Sequence, residues 1–350
     1  MTTTAARDAQ SMPAVDESAA KLVIQQTLVP PDGHTKFVDQ MVGMDNPRVE
    51  HRFFSWPRAI LTRYDVFHVH WPELTIRAKT PTKRFLRRRY LDVFLLRAKI
   101  LRTPIVRHLH NVEPHEPGND AERRSLARLD RATDLYIRLN PTTVPPTDRP
   151  VVTALHGHYR QAYAAHPLPP AERGHLLYFG IIRPYKGVDH LARVFSEIPD
   201  PDLDLRIVGS PSVGQREIVE AHVARDPRIS ALLRYVSDAE LTHEVGRAEL
   251  AILPYREMHN SGAILVAMSL GRPVLAPRSP ANSALSAEVG PGWIIEYDGD
   301  LTPATILDAL AEVRTTQRTA QPDLSARDWD HVGRIIEGAY RTAIARARRR

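Results

Sequence analysis

Short apolar runs recur along the chain, each rich in β-branched or aromatic residues and each closed by Pro, Gly, Asn or Asp. On this pattern Lys21–Val29, Val49–Trp56, Asp65–Trp71, Pro104–His110, Asp134–Leu139 and Val151–Leu155 read as strands. Helix-length stretches separate them, starting with Lys36–Val42, and Pro57 stands where a first-turn proline is tolerated. A proline-rich stretch, His166 to Pro170, interrupts the series and marks the expected domain boundary. A second series follows: strand His175–Gly180, helix Gly187–Ile198, strand Leu203–Gly209 and helix Ser212–Arg225. Ser237 and Glu240 have capping-box spacing and open another helix. Strand Glu249–Pro254, helix Gly262–Leu270, strand Arg272–Ala276 and an amphipathic Thr302–Thr315 complete it.

Strands spaced by helices imply parallel βαβ units, so the fold class is α/β, with two doubly wound Rossmann-like domains. The expected division is a lead segment 1–19, a first domain 20–166, a second domain 171–326 and a C-terminal helix 327–350, a candidate for crossing back to the first domain. Two such domains would face each other across a central cleft, and ligands of open α/β sheets bind beyond the carboxyl ends of the strands. The loops that follow strands are therefore where function is expected.

The 350 residues suit two cores, and 43% hydrophobic with 25% charged residues is a soluble globular balance. There is no cysteine, which excludes disulfides, thiolate metal sites and a thiol nucleophile. Residues 1–19, rich in Thr, Ala and Ser, read as a disordered lead and not as a signal peptide. No run approaches the roughly 18 apolar residues of a spanning helix, so a cytoplasmic protein with peripheral membrane contact at most is expected. Residues 77–102 hold ten Lys or Arg against one acid, Asp92. Within them Phe85, Leu86, Tyr90, Leu91, Val93, Phe94, Leu95 and Leu96 alternate with cations, which fits an anionic membrane surface or a core helix with a solvated basic face. Nucleic acid is not expected, because no recognition helix, zinc finger or stacking platform accompanies the charge.

Two strand–loop–helix units carry candidate chemistry in the second series. Gly180 ends a strand, and Arg183 and Lys186 follow, three residues apart, ahead of Gly187 at a helix entrance. Two cations beside a positive helix N-terminus suit a diphosphate and the charge that builds when one departs. In the second unit Ser261 is a natural N-cap, with the amides of Gly262 and Ala263 behind it, while Glu257 and Asn260 offer partners for a sugar hydroxyl. A plain turn with solvated cations and a helix cap are the structural alternatives.

Gly180…Arg183-x-x-Lys186-Gly187 followed by Ser261-Gly262…Ala267-Met268-Ser269-x-Gly271-x-Pro273-Val274 resembles the donor domain of glycosyltransferases with the GT-B fold. The resemblance implies that Arg183 and Lys186 hold the donor diphosphate and that the Ser261 loop binds phosphate and sugar. Where many members carry a pair of glutamates, this chain has Met258 and Val266. Glu257 stands one residue early, and Glu288 is a candidate substitute.

His68-Val69-His70-Trp71-Pro72-Glu73 and His108-Leu109-His110-Asn111-Val112-Glu113-Pro114-His115-Glu116, together with Gly157-His158-Tyr159, resemble bacterial GDP-mannose:glycolipid β-mannosyltransferases of exopolysaccharide synthesis. That resemblance alone implies GDP-mannose as donor and a lipid-linked saccharide as acceptor. A carboxylate or histidine is needed to deprotonate the acceptor hydroxyl in an inverting transfer. Candidates are His110, Glu113 and Glu116, with His70, Glu73 and His158 as acceptor contacts. No metal cofactor is expected, because Arg183 and Lys186 fill its role. Two further functions stay open at this point: a catalytically inactive nucleotide-sugar-binding protein, and a zinc hydrolase built on the His-x-His strand ends.

Overall fold

The computed structural model describes residues 20–33, 35–43, 46–110, 118–255 and 261–349. The chain forms two compact units. The first holds the chain up to Leu139, Thr143–Leu155 and Trp329 onward; the second holds Asn140–Thr142 and His156–Asp328. The change of unit after Leu155 falls ahead of the proline-rich stretch, because the helical turn Arg160–Tyr163 already packs with the second unit's helix Asp238–Arg247.

In the first unit β1 (Leu22–Gln26), β2 (Val49–Arg52), β3 (Val66–Val69), β4 (Ile105–Leu109), β5 (Leu135–Arg138) and β6 (Val151–Thr153) form one parallel sheet in the order β2-β1-β3-β4-β5-β6. In the second, β7 (His175–Phe179), β8 (Asp204–Val208), β9 (Ile229–Leu232), β10 (Leu250–Ile252), β11 (Val274–Pro277) and β12 (Ile294–Tyr297) run parallel in the order β12-β11-β10-β7-β8-β9. Both orders reverse once, between β1 and β3 in one sheet and between β7 and β10 in the other. Loops leaving two such neighbouring strands diverge to opposite faces and open a crevice at the sheet's carboxyl edge.

The central strands of the second unit are largely apolar. Leu176, Leu177, Leu205, Ile207, Ala251 and Ile252 are fully buried, as a sheet covered by helices on both faces requires. The run Val49–Trp56 is not one strand. The Ser55 side chain accepts the amide of Arg58, and Pro57 lies in the first turn, so the helix Trp56–Leu61 begins where a strand was expected to continue. The helix Pro81–Leu101 buries only Leu91, Phe94 and Ala98 and exposes Phe85, Val93, Leu96 and Ile100 among its cations. Among the described residues no helix is long and apolar enough to cross a membrane.

The C-terminal helix Trp329–Arg348 packs into the first unit through Trp329, Val332, Ile336, Ala339, Tyr340 and Ala343. Glu337 lies on its buried side with no exposure. Its carboxylate receives Asn46 Nδ2 at 3.0 Å, Arg48 Nε at 3.1 Å, and Arg341 Nε and Nη2 at 2.9 and 2.7 Å. Burial alone would raise its pKa; the bonds from Asn46 and Arg341 and the charges of Arg48 and Arg341 outweigh it and lower it. Removing one member of a buried ion pair costs 3–5 kcal/mol, and here both guanidiniums still reach water, so Glu337→Gln should cost about 2 kcal/mol. Because the folded carboxyl titrates below its ordinary 4.5, that contribution is present above that pH and fades as pH falls through the folded value. Denaturant unfolding should show the variant weaker at neutral pH, with the gap closing in acid.

Candidate active site

The second unit's switch point is built from glycines that let two loops touch. Gly180 follows β7 at φ +119 and Gly209 follows β8 at φ +153. A Cβ on Gly209 would run into the Gly180 carbonyl, so only glycine there leaves the Gly180 loop in place. Arg183 then opens a 3₁₀ turn, Pro184–Lys186, and Gly187 at φ +70 closes it and starts the helix Val188–Ser196. A Cβ on Gly187 would lie 3.2 Å from the Pro254 carbonyl oxygen, at the start of the loop after β10.

That approach brings Lys186 onto Tyr255. Its Nζ lies 4.5 Å from the ring centroid, a cation–π contact. The Tyr255 hydroxyl is 2.6 Å from Ser261 Oγ, which accepts the Ile264 amide at 3.3 Å and caps the helix Gly262–Ser269. Lys186, Tyr255 and Ser261 thus form one continuous row. Burial, and then the neighbouring Arg183 charge, holds the Lys186 ammonium down to about 8. Among the described residues no carboxylate pairs with Arg183 or Lys186. Two half-buried cations pushed together, with no counter-ion among the described residues and beside a helix N-terminus, are the arrangement an anion would favour.

The first unit presents imidazoles at the end of its own sheet. His68 lies in β3, His108 in β4, and His70 and His110 just beyond them; all four are buried. His70 Nδ1 is 2.8 Å from His110 Nε2, and His70 Nε2 is 3.0 Å from Gln26 Oε1. The Tyr340 hydroxyl meets His68 Nδ1 at 2.8 Å. Burial first, and then the neighbouring imidazoles, holds His68 and His70 far below the ordinary histidine pKa, so both are neutral. Trp71 stacks on His110 with centroids 4.1 Å apart and planes at 20°. It does so in the left-handed region, at φ +39, a conformation that costs a non-glycine residue about 1–3 kcal/mol and that clusters at functional sites.

Several expected residues are placed differently. His158 lies in the second unit, and its Nε2 is 2.6 Å from Asp328 Oδ1 while its amide donates to the Arg327 carbonyl. It fastens the segment leading into the C-terminal helix. Glu288 likewise receives both Arg327 Nε and Nη2, at 2.7 and 2.6 Å, and Arg327 donates onward to the His156 carbonyl. Both of its oxygens are held within the protein. Glu73 begins the short helix Pro72–Ile76, and its charge acts on Arg107. Glu113, Glu116, Glu257 and Asn260 lie outside the described residues.

Trp71, Tyr255, Gln26 and Tyr340 were not singled out from sequence. Trp71 lies within a motif and Tyr255 beside one, so both were legible in principle. Gln26 and Tyr340 meet the histidines only through the sheet order and the returning C-terminal helix.

One ring nitrogen each from His68, His70 and His108 lie within 4.8 Å of one another, a spacing that could surround an ion. In His70, however, both nitrogens already face protein partners.

Residues 173–314 match the family described as glycosyl transferases group 1. A GDP-mannose:glycolipid 4-beta-D-mannosyltransferase of Xanthomonas campestris pv. campestris is 42% identical over 342 residues, covering 96% of this chain and 97% of that protein. Among solved structures, Anabaena HepE in complex with UDP superposes with a TM-score of 0.60 at 15% identity, over 94% of this chain and all of that one. A glycosyltransferase from Rickettsia africae gives 0.57 at 12%, over 94% and 97%. These two show the shared fold. The near full-length identity displaces the hydrolase expectation for the histidine pairs. With identity sustained across almost the whole of both proteins, on a fold shared from end to end, this chain belongs to the GT-B glycosyltransferase family that includes that mannosyltransferase.

Proposed function

We propose that this chain transfers mannose from GDP-mannose to a hydroxyl of a glycolipid, forming a β-linkage. The observation that carries the proposal is the Arg183–Lys186 pair, without a carboxylate partner among the described residues, at the switch point of a unit that matches the group 1 glycosyl transferases. The donor, the acceptor class and the β-product follow the 42% identical relative, whose name states all three. A nucleotide-bound α-mannosyl group that becomes β-linked is inverted, so the acceptor oxygen attacks the face opposite the leaving GDP.

Such a displacement needs two things. The oxygen must lose its proton as it attacks, and the diphosphate must gain compensation as its bond to the sugar breaks. Arg183 offers a planar fork of donors for phosphate oxygens and Lys186 a compact ammonium, so the pair supplies charge stabilisation without a metal cofactor. The amides of Gly262 and Ala263 behind the Ser261 cap extend the anion site. His110, with Glu113 and Glu116 close by in sequence, is placed on the acceptor side, with His70 and Glu73 in support. Glu257 and Asn260 remain the candidates for the donor sugar.

We also place the protein at the cytoplasmic face of a membrane, within exopolysaccharide synthesis. A glycolipid acceptor requires that surface. The exposed apolar row Phe85, Val93, Leu96 and Ile100, set among Arg84, Arg88 and Lys99, gives an interfacial helix both its apolar and its cationic contacts.

Three outcomes check the proposal. Arg183→Ala should lower kcat for mannosyl transfer from GDP-mannose about 100-fold with the thermal midpoint little changed. Wild-type turnover would remove the residue from the site. Because Lys186 loses its charge as pH rises through about 8, GDP affinity should fall across that range, and Lys186→Arg should flatten the profile. Calorimetric titration at several pH values reads this directly. Co-sedimentation with phosphatidylglycerol vesicles should be salt-sensitive and should weaken in Val93→Asp/Leu96→Asp, with neutral phosphatidylcholine vesicles binding less.

A further inference from the structure

Tyr255 touches both halves of the proposed donor site. It is the third residue after β10 and is 4% exposed. Its ring faces the loop after β7, with Lys186 Nζ 4.5 Å from the centroid. Its hydroxyl faces the start of the helix Gly262–Ser269, where the phenol oxygen and Ser261 Oγ share one hydrogen bond at 2.6 Å. The backbone supports the first contact. Gly187 brings the Lys186 turn close to the Pro254 carbonyl, so the residue after Pro254 arrives beside the ammonium.

Each contact suits an anion site. A carboxylate beside Lys186 would neutralise it, whereas an aromatic face attracts the ammonium and leaves its charge in place. Burial raises the Tyr255 phenol pKa, and the bond with Ser261 offsets that only in part, so the hydroxyl stays neutral and adds no counter-charge. At the other end Ser261 Oγ accepts the Ile264 amide at 3.3 Å and caps the helix. The amides of Gly262 and Ala263 belong to the first turn, where no intrahelical acceptor exists for them. A tyrosine has only two side-chain torsions, so a shift at one end of its ring is passed to the other.

We propose that Tyr255 is a positioning residue for the donor diphosphate: one rigid side chain sets the distance between the Lys186 ammonium and the amides that follow Ser261, so that the two loops bind the anion as a unit. The proposal rests on the reading above that the diphosphate lies on these loops. It gives Ser261 an indirect part, because its Oγ is already engaged by Tyr255 and by the amide it caps.

Calorimetric titration of the full-length protein with GDP, and separately with inorganic pyrophosphate, tests this through two double-mutant cycles. Tyr255→Leu removes ring and hydroxyl and should weaken both anions about tenfold; Tyr255→Phe keeps the ring and should weaken them about threefold. The loss in Tyr255→Leu should shrink in a Lys186→Met background. The loss in Tyr255→Phe should vanish in a Ser261→Ala background, while Tyr255→Phe alone keeps the wild-type dependence on Lys186. A residue that merely packs would lower the thermal midpoint and leave these losses additive. Additive cycles would therefore overturn the proposal, as would unchanged affinity in Tyr255→Leu. Should Tyr255→Leu fail to fold, the cycle of Tyr255→Phe with Ser261→Ala decides alone, coupled losses supporting the proposal and additive ones overturning it. Pyrophosphate separates the positioning from the function. Coupled cycles without mannosyl transfer from GDP-mannose would remove the donor assignment and leave the positioning, whereas anion binding indifferent to Lys186→Met would remove both.

Discussion

A diphosphate can be bound and released as a leaving group only where positive charge has been kept from neutralising itself. The proposed donor site of the second unit answers that constraint. Arg183 and Lys186 sit together without a carboxylate partner among the described residues, and burial, then the Arg183 charge, lowers the Lys186 pKa. Holding them there requires a loop that cannot relax. Gly209 against Gly180 and Gly187 against Pro254 supply the close backbone approaches, and the Tyr255 ring supplies a neutral surface that attracts an ammonium without discharging it.

The first unit meets a different demand. On the proposed reading it holds the acceptor, and a neutral hydroxyl needs a base and not a field. Its histidines are buried in one another's company and in contact with Gln26 and Tyr340, and burial keeps them uncharged. The C-terminal helix belongs to this arrangement: Tyr340 reaches His68 across 272 residues of sequence, while Glu337, one turn earlier, ties the same helix to Arg48. A segment that reads from sequence as a basic terminal helix therefore meets the histidine cluster near the other end of the chain.

The parts of this picture legible in the sequence are those encoded within a few residues. Gly180, Arg183, Lys186 and Gly187 share one loop, and Ser261 directly precedes the helix it caps, so their local placement followed from spacing. The Ser237–Glu240 capping box is local in the same way and is present. Contacts that depend on strand order were not legible. The Lys186–Tyr255 contact exists because β7 pairs with β10, an order the pattern of apolar runs does not specify. The strands β9 and β12, Ile229–Leu232 and Ile294–Tyr297, were missed, although β6 and β10 are shorter. His158 and Glu288 looked like ligand contacts, yet their partners Asp328 and Arg327 stand 170 and 39 residues away. A charged group in a motif does not reveal from sequence whether the fold has already used it.

The central claim is that the diphosphate of the donor lies on the Arg183–Lys186 loop. A crystal structure of the protein soaked with GDP tests it most directly. The account predicts phosphate oxygens within hydrogen-bonding distance of the Arg183 guanidinium and the Lys186 ammonium, beside the amides that follow Ser261. A nucleotide bound elsewhere, with both side chains turned to solvent, would contradict it.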